Sequence, residues 1–149
     1  VRRGYFVAGM GGAQFALPGA VDRLRDGRQR SGTGGPGEGG AVVLAATDPA
    51  NVYGLTLPWP VSGPRRVAGA YVVLVGEGGA LYVERGARGL VALRELDGTW
   101  EHQAVAALDD LVTSGRMRRL AVERFDEALA PVLRAAGFVP SPRGLVRYG

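Results

Sequence analysis

Few residues in this sequence could do chemistry. Asp48 follows the apolar run 41–46 at a turn, the kind of junction where reactive carboxylates are displayed. It is equally placed to cap a short helix or turn, with Pro49 at the first helical position. Gln14 stands between glycines and Phe15, as a hydrogen-bonding group at a strand edge or as a contact to a nucleic-acid base. These two are the catalytic candidates. Asp109 and Asp110 are adjacent, so on a helix they point about 100° apart and form a solvated face, not a working pair. His102, the single histidine, falls in the first turn of an amphipathic helix, a poor place for a triad base. There is no cysteine, which removes disulfides, thiolate catalysis and Cys-based zinc sites together. No metal site is expected.

The basic residues are the richer material. All 18 are arginine, against 14 acidic residues, for a net charge of +4. A GC-rich genome produces that skew unaided; guanidinium forks also bind phosphate bidentately. The candidate nucleic-acid contacts are Arg2, Arg3, Arg28, Arg30, Arg65, Arg66, Arg116, Arg118 and Arg119, and Arg143 with Arg147 forms a further cluster. Tyr5, Trp59 and Tyr148 lie near these groups, the pairing a stacking platform uses. Solvated arginines gather at turns and ends for ordinary reasons too. A charge of +4 over 149 residues is a modest field, so DNA binding by this domain in isolation is expected to be weak.

Nucleotide chemistry is not supported. The stretch 32–40, GTGGPGEGG, evokes a phosphate cradle, but a Walker loop needs a Gly-Lys-Ser/Thr ending and the sequence has no lysine. Gly9-Met10-Gly11 is followed by Gln14 where a dinucleotide fingerprint needs a small residue, and Pro18 interrupts the helix that should begin there.

The elements that must position these groups read as follows. A strand at 5–8, a glycine turn and a strand at 14–17 lead to a helix opened by Pro18. Residues 27–40 are half glycine and are expected to form a mobile loop. A buried strand is expected at 41–46, and 55–60 is held extended by Pro58 and Pro60. Strands at 70–75 and 80–84 flank Gly76-Glu77-Gly78-Gly79 as a hairpin with a four-residue loop, and 90–93 supplies a third strand. The clearest helix is 101–114, with Val105, Leu108, Leu111 and Val112 on one stripe and Gly115 beyond its end. A short strand at 120–122, a helix near 129–136 and extended pieces at 138–139 and 144–147 close the chain. About seven short strands with about three helices and no βαβ alternation indicate an α+β fold, mainly antiparallel, with a barrel-like or strongly coiled sheet. The length suits one domain, 1–149. The longest apolar run, 68–75, is far short of a membrane span, and no signal peptide is visible, so the expected compartment is the cytoplasm. Residue 1 is Val, which suggests a piece excised from a longer protein.

Longer stretches carry a resemblance. RGYFVAGMGGAQFALPGAVDRLR, VVLAATDPANVYGLTLPWP, AGAYVVLVGEGGALYVERGARGL, AVAALDDLVTSGRMRRLAVERFD and LRAAGFVPSPRGL, in that order, resemble the carboxyl-terminal region of the large helicase-related (Lhr) family of bacterial superfamily 2 DNA helicases. The resemblance implies an accessory module of a DNA repair helicase, without the ATPase motor, contributing DNA engagement or protomer assembly. ATP and Mg would belong to the parent helicase and no cofactor to this chain. The implied partners are DNA, the remainder of the parent helicase and, as an alternative, further copies of the chain; no membrane is implied. The same family region is similar to DNA glycosylases, so a part in base excision is the enzymatic alternative. Asp48 and Gln14 are its candidates, since such a site must position water beside a developing sugar cation on an extruded nucleotide.

Overall fold

The computed structural model describes residues 1–6, 9–23, 25–26, 40–76 and 78–149. The glycine-rich loop expected at 27–40 falls outside them except for Gly40, as do Arg28 and Arg30. At the amino end, β1 (Arg2–Gly4) pairs antiparallel with β2 (Gln14–Ala16), Arg3 opposite Phe15 and Gly4 opposite Gln14. The first strand therefore precedes the expected 5–8. Gln14 explains why: its Oε1 accepts the Phe6 N–H at 2.7 Å, and its Nε2 donates to the Met10 carbonyl at 3.1 Å, folding the loop back on itself. Pro18 lies outside the helix. The Ala20 N–H donates to the Leu17 carbonyl at 3.1 Å and Gly19 has φ +80°, a type II turn with proline and glycine in their preferred places. Helical residues follow at 20–23 and 25–26.

The body is built on a four-stranded antiparallel sheet of β3 (Val42–Ala45), β4 (Tyr71–Val75), β5 (Gly78–Val83) and β6 (Leu90–Ala92), in chain order. Its strands alternate as a two-residue period demands. Tyr71, Val73, Val75, Leu81 and Val83 pack into the main core, whereas Val72, Leu74 and Tyr82 pack into a second cluster on the opposite face. β3 is an edge strand, with Val42 exposed, not the buried strand its apolar run suggested. The β4–β5 loop is also tighter than expected. Val75 pairs with Gly78, and the register shifts between Val73 and Leu74. Gly78 and Gly79 are strand residues: a Cβ on Gly79 would sit 2.9 Å from Leu93 Cδ1 and from Tyr53 Cε2. That glycine is a packing requirement and not a turn signal.

The long connection between β3 and β4 covers the second face of this sheet. Asn51, 1 % exposed, holds it by donating to the Ala46 carbonyl at 2.8 Å and accepting the Tyr53 N–H at 3.1 Å. Tyr53 stacks on Trp59, Trp59 meets Tyr82 edge to face, and Tyr82 Oη donates to the Arg65 carbonyl at 3.0 Å. The other face receives helix α1 (Glu101–Thr113), whose Val105, Leu108, Leu111 and Val112 are all buried, with Gly115 at φ +75° just past its end. No side chain caps its first turn through Trp100. Glu101, buried, accepts the N–H groups of Gly98 at 2.9 Å and Trp100 at 3.1 Å instead. Burial pushes the Glu101 carboxyl up, and its backbone hydrogen bonds more than offset that, leaving it below the ordinary value.

The carboxyl-terminal part is a three-stranded sheet of β7 (Arg119–Val122), β8 (Val139–Ser141) and β9 (Gly144–Tyr148) in the order β7-β9-β8. A short 3-10 turn (Glu127–Leu129) and helix α2 (Ala130–Ala135) join β7 to β8. Leu120, Val122 and Leu145 enter the main core with Leu129 and Leu133. The two larger sheets share the main core, and among the described residues one isolated parallel bridge, Gly89 to Arg124, joins the segments beside them. The fold is thus α+β and antiparallel in its strand pairing, with nine strands in three separate sheets and no closed barrel among the described residues. Closure of one barrel would need a continuous ladder, and one bridge does not make one. No described helix is long and apolar enough to cross a membrane.

Candidate nucleic-acid interface

The proposed arginines separate into three groups. Arg2 and Arg3 lie exposed on β1, in the amino-terminal hairpin. Arg65 is exposed and its neighbour Arg66 is not free: the Arg66 guanidinium donates to the carbonyls of Asn51, Thr47 at 3.2 Å and Asp48 at 3.3 Å. It is a structural clamp on the β3–β4 connection. Arg116, Arg118 and Arg119 are exposed where α1 turns into β7, and among the described residues no hydrogen bond or ion pair engages their side chains.

The stacking residues sort the same way. Trp59 is half-buried between Tyr53 and Tyr82, so its faces are already used. Tyr5 and Tyr148 are exposed, at 86 % and 55 %. Strand pairing sets Arg119 directly opposite Tyr148, and Ala121 opposite Val146. These residues, with Ser141, Pro142 and Arg143 from the β8–β9 end, line a groove of about 310 Å3 on the outer face of the three-stranded sheet. Glu123 lies on the same face and approaches Arg143 at 3.9 Å. Arg147 is turned to the other side, where its Nε meets Asp109 Oδ1 at 2.7 Å and ties β9 to α1. So the expected cluster of Arg143 and Arg147 is split: Arg143 sits in the turn before β9, outside the strand's alternation, while Arg147 is held on the core side by Asp109.

A second concavity, about 670 Å3, lies on the amino-terminal hairpin and is lined chiefly by Phe6, Met10, Phe15, Leu17 and Ala20. It is apolar, with Arg23 its one charged lining residue.

The catalytic candidates are both engaged in local structure. Asp48 Oδ1 accepts the Ala50 N–H at 2.8 Å, an Asx-type turn with no helix after it. Gln14 is held in the hairpin by the bonds already described. The two do not line a common groove: Gln14 belongs to the amino-terminal concavity and Asp48 to no groove described above. Among the described residues no group of His, Asp and Glu could hold a metal ion. With no lysine in the sequence, the chain also lacks the ammonium a Walker-type ATP site needs.

Comparison with known proteins identifies what this scaffold belongs to. A family model for the winged-helix domain of the large helicase-related protein matches residues 1–35, the segment that holds the β1–β2 hairpin. Over 97 % of its length the chain is 42 % identical to a Mycolicibacterium smegmatis protein named Lhr helicase/probable uracil glycosylase. It is 35 % identical, again over 97 % of its length, to the Escherichia coli Lhr helicase/uracil glycosylase. The chain belongs to the large helicase-related family. It corresponds to part of the carboxyl-terminal region of Lhr proteins and spans only 11 % and 10 % of those two relatives. The winged-helix match ends before β3, so the four- and three-stranded sheets lie beyond the part that model describes.

Proposed function

We propose that this chain is an accessory, non-motor domain of an Lhr helicase that engages DNA while the ATPase core lies elsewhere in the polypeptide. The observation that carries it is the set of exposed, unengaged guanidinium groups at Arg2, Arg3, Arg116, Arg118 and Arg119. Arginines left free on a surface keep all their donors for phosphate, and Arg2 and Arg3 lie within residues 1–35, which are similar to the winged-helix domain. Arg65 extends the same set, and Arg28 and Arg30 belong to it by sequence. Because the charge is modest, the isolated chain should bind with micromolar or weaker affinity that falls steeply with salt. Anisotropy titration of the 149-residue chain against duplex and single-stranded DNA at about 50 mM salt tests this. No binding at that salt, with concentration-dependent mass in sedimentation, would favour protomer assembly as the role.

A second reading has support in the names of the relatives, both of which carry uracil glycosylase. In this chain the base-excision candidates are Asp48 and Gln14, and both already serve turns. The expected outcome is that the chain alone leaves uracil-containing strands intact and that Asp48→Asn leaves incision by the parent protein unchanged. An asparagine accepts the same Asx-turn hydrogen bond, so its cost in stability should be only a few tenths of a kcal/mol. Alkali-revealed strand incision that disappears in Asp48→Asn with the melting midpoint unmoved would give Asp48 to the chemistry.

A further inference from the structure

We infer that the outer face of the three-stranded sheet is a single-stranded DNA site, in which a base stacks on Tyr148 and the flanking phosphates are held by Arg119 and Arg143. This inference rests on the DNA-engagement reading above and gives it a place and a strand form.

Three observations carry it. Tyr148 is an exposed aromatic of this face, at 55 %, and its backbone is pinned along β7. It pairs with Arg119 across β7–β9, the Arg147 guanidinium donates to its carbonyl, and the Gly149 N–H donates to the Arg118 carbonyl at 3.3 Å. An aromatic ring on a fixed strand loses little entropy on stacking, unlike one on a loose terminus. Second, two charges line the same groove as the ring. Arg119 stands beside it in register and Arg143 stands at the β8–β9 end of the same groove, 79 % exposed in its side chain. Third, the groove has the dimensions of a small ligand site, at about 310 Å3, and its floor is apolar, formed by Ala121 and Val146.

The strand form follows from what is accessible. A duplex hides the faces of its bases and offers only their edges, whereas a single strand can lay a base face on an aromatic ring. Glu123 is the opposing charge. Its 3.9 Å separation from Arg143 is too long for a hydrogen bond, so Arg143 keeps its donors while the acid weakens the local positive field. The role of Glu123 is to moderate affinity.

The test uses the 149-residue chain and a labelled oligothymidylate of about fifteen nucleotides, with an oligouridylate and an abasic strand of equal length as comparisons. Tyr148→Ala should raise Kd about 5- to 100-fold, Tyr148→Phe should stay within about twofold, and the abasic strand should abolish the difference between wild type and Tyr148→Ala. Arg119→Gln and Arg143→Gln should each reduce the slope of log K against log salt by about 0.7, the value for one single-strand phosphate. Glu123→Gln should tighten binding. Wild type that binds the oligothymidylate while Tyr148→Ala binds it equally well overturns this site and leaves DNA engagement to the other arginines. Wild type that binds no DNA at all overturns both readings. Binding confined to the oligouridylate overturns the assignment to DNA, and equal losses in Tyr148→Phe and Tyr148→Ala overturn stacking.

Discussion

The two larger sheets of this molecule face the same main core and differ in what lies behind them. The four-stranded sheet is covered on both faces, by α1 on one and by the long β3–β4 connection on the other. Its aromatic residues, Tyr53, Trp59 and Tyr82, are consumed in holding that cover down, and so is Arg66. The three-stranded sheet is only partly covered on its reverse face, where Val146 is buried, and is fully covered on its core face. There Leu120, Val122 and Leu145 are buried, while Tyr148 and Arg119 on the reverse face stay open to solvent. The same residue types, arginine beside an aromatic, therefore mean different things in the two places. In the first they are internal fasteners. In the second, among the described residues, no hydrogen bond or ion pair engages the side chains of Arg119 and Tyr148.

The largest expected effect removes the open sheet. Gly144 opens β9 at φ +153°, and a Cβ there would lie 2.1 Å from the Val122 carbonyl oxygen, which is backbone and cannot swing away. Gly144→Ala should cost at least about 4 kcal/mol in chemical denaturation, among the larger single-residue effects. A variant as stable as wild type would mean that β7 and β9 can part without consequence and that the three-stranded sheet is not a rigid platform.

Next is the core that both sheets share. Leu108 is 1 % exposed on α1, and Leu108→Ala should cost about 2–5 kcal/mol through lost burial and a residual cavity. Because the helix touches both sheets, one cooperative transition should move as a whole in thermal unfolding. Two transitions, with only one shifted, would show that the sheets unfold separately and would break the comparison at its base.

Smaller in stability, and sharper for function, is the exchange of arginines between the two regions. Arg66→Gln leaves the carbonyls of Asn51, Thr47 and Asp48 without their donor and should cost about 1–3 kcal/mol. It should leave DNA affinity nearly unchanged. Arg119→Gln should do the reverse, lowering affinity with stability held within about 0.5 kcal/mol, as for an exposed side chain with no partner. Equal losses of DNA affinity in the two variants would erase the distinction between fastener and free group.

How far the sequence could see this depends on the range of the interaction. α1 was legible because its stripe and its terminal glycine are encoded within a few turns, and Val105, Leu108, Leu111 and Val112 are all buried as their spacing implied. The β4–β5 hairpin was legible in outline only. Gly79 looks like a loop residue until Tyr53, some twenty-five positions earlier, is seen to require the missing Cβ. The site was less legible still. The sequence put Tyr148 near arginines, but which arginine shares its face depends on β7 pairing with β9 across a helix and a strand. Trp59 and Arg66 read as binding groups because their true partners are aromatic rings and backbone carbonyls, which carry no sequence signature. The barrel-like expectation counted strands without knowing that, among the described residues, the larger sheets would be joined by no more than the isolated bridge from Gly89 to Arg124 and not by a continuous ladder.

The smallest effect concerns pH and the seam where the chain leaves β6 for α1. Glu101 is 3 % exposed, and its carboxylate accepts the N–H groups of Gly98 and Trp100. Burial acts to raise its pKa and those hydrogen bonds act to lower it, with a net lowering below 4.5. The folded state thus holds the proton less readily than the unfolded chain. Between the two pKa values the unfolded state carries more protons, so stability rises with pH there. The contribution is fully present above the ordinary glutamate range and is lost as pH falls through the folded value. Glu101→Gln cannot ionise and should be less stable than wild type near neutral pH, with the gap closing in acid. Melting midpoints of the pair, followed from about pH 7 down to about pH 3, check this directly. A gap that stays constant over that range would mean that the charge on Glu101 contributes nothing and that the difference comes from the second acceptor oxygen, which glutamine replaces with an NH2 donor that cannot accept the N–H of Gly98 or Trp100.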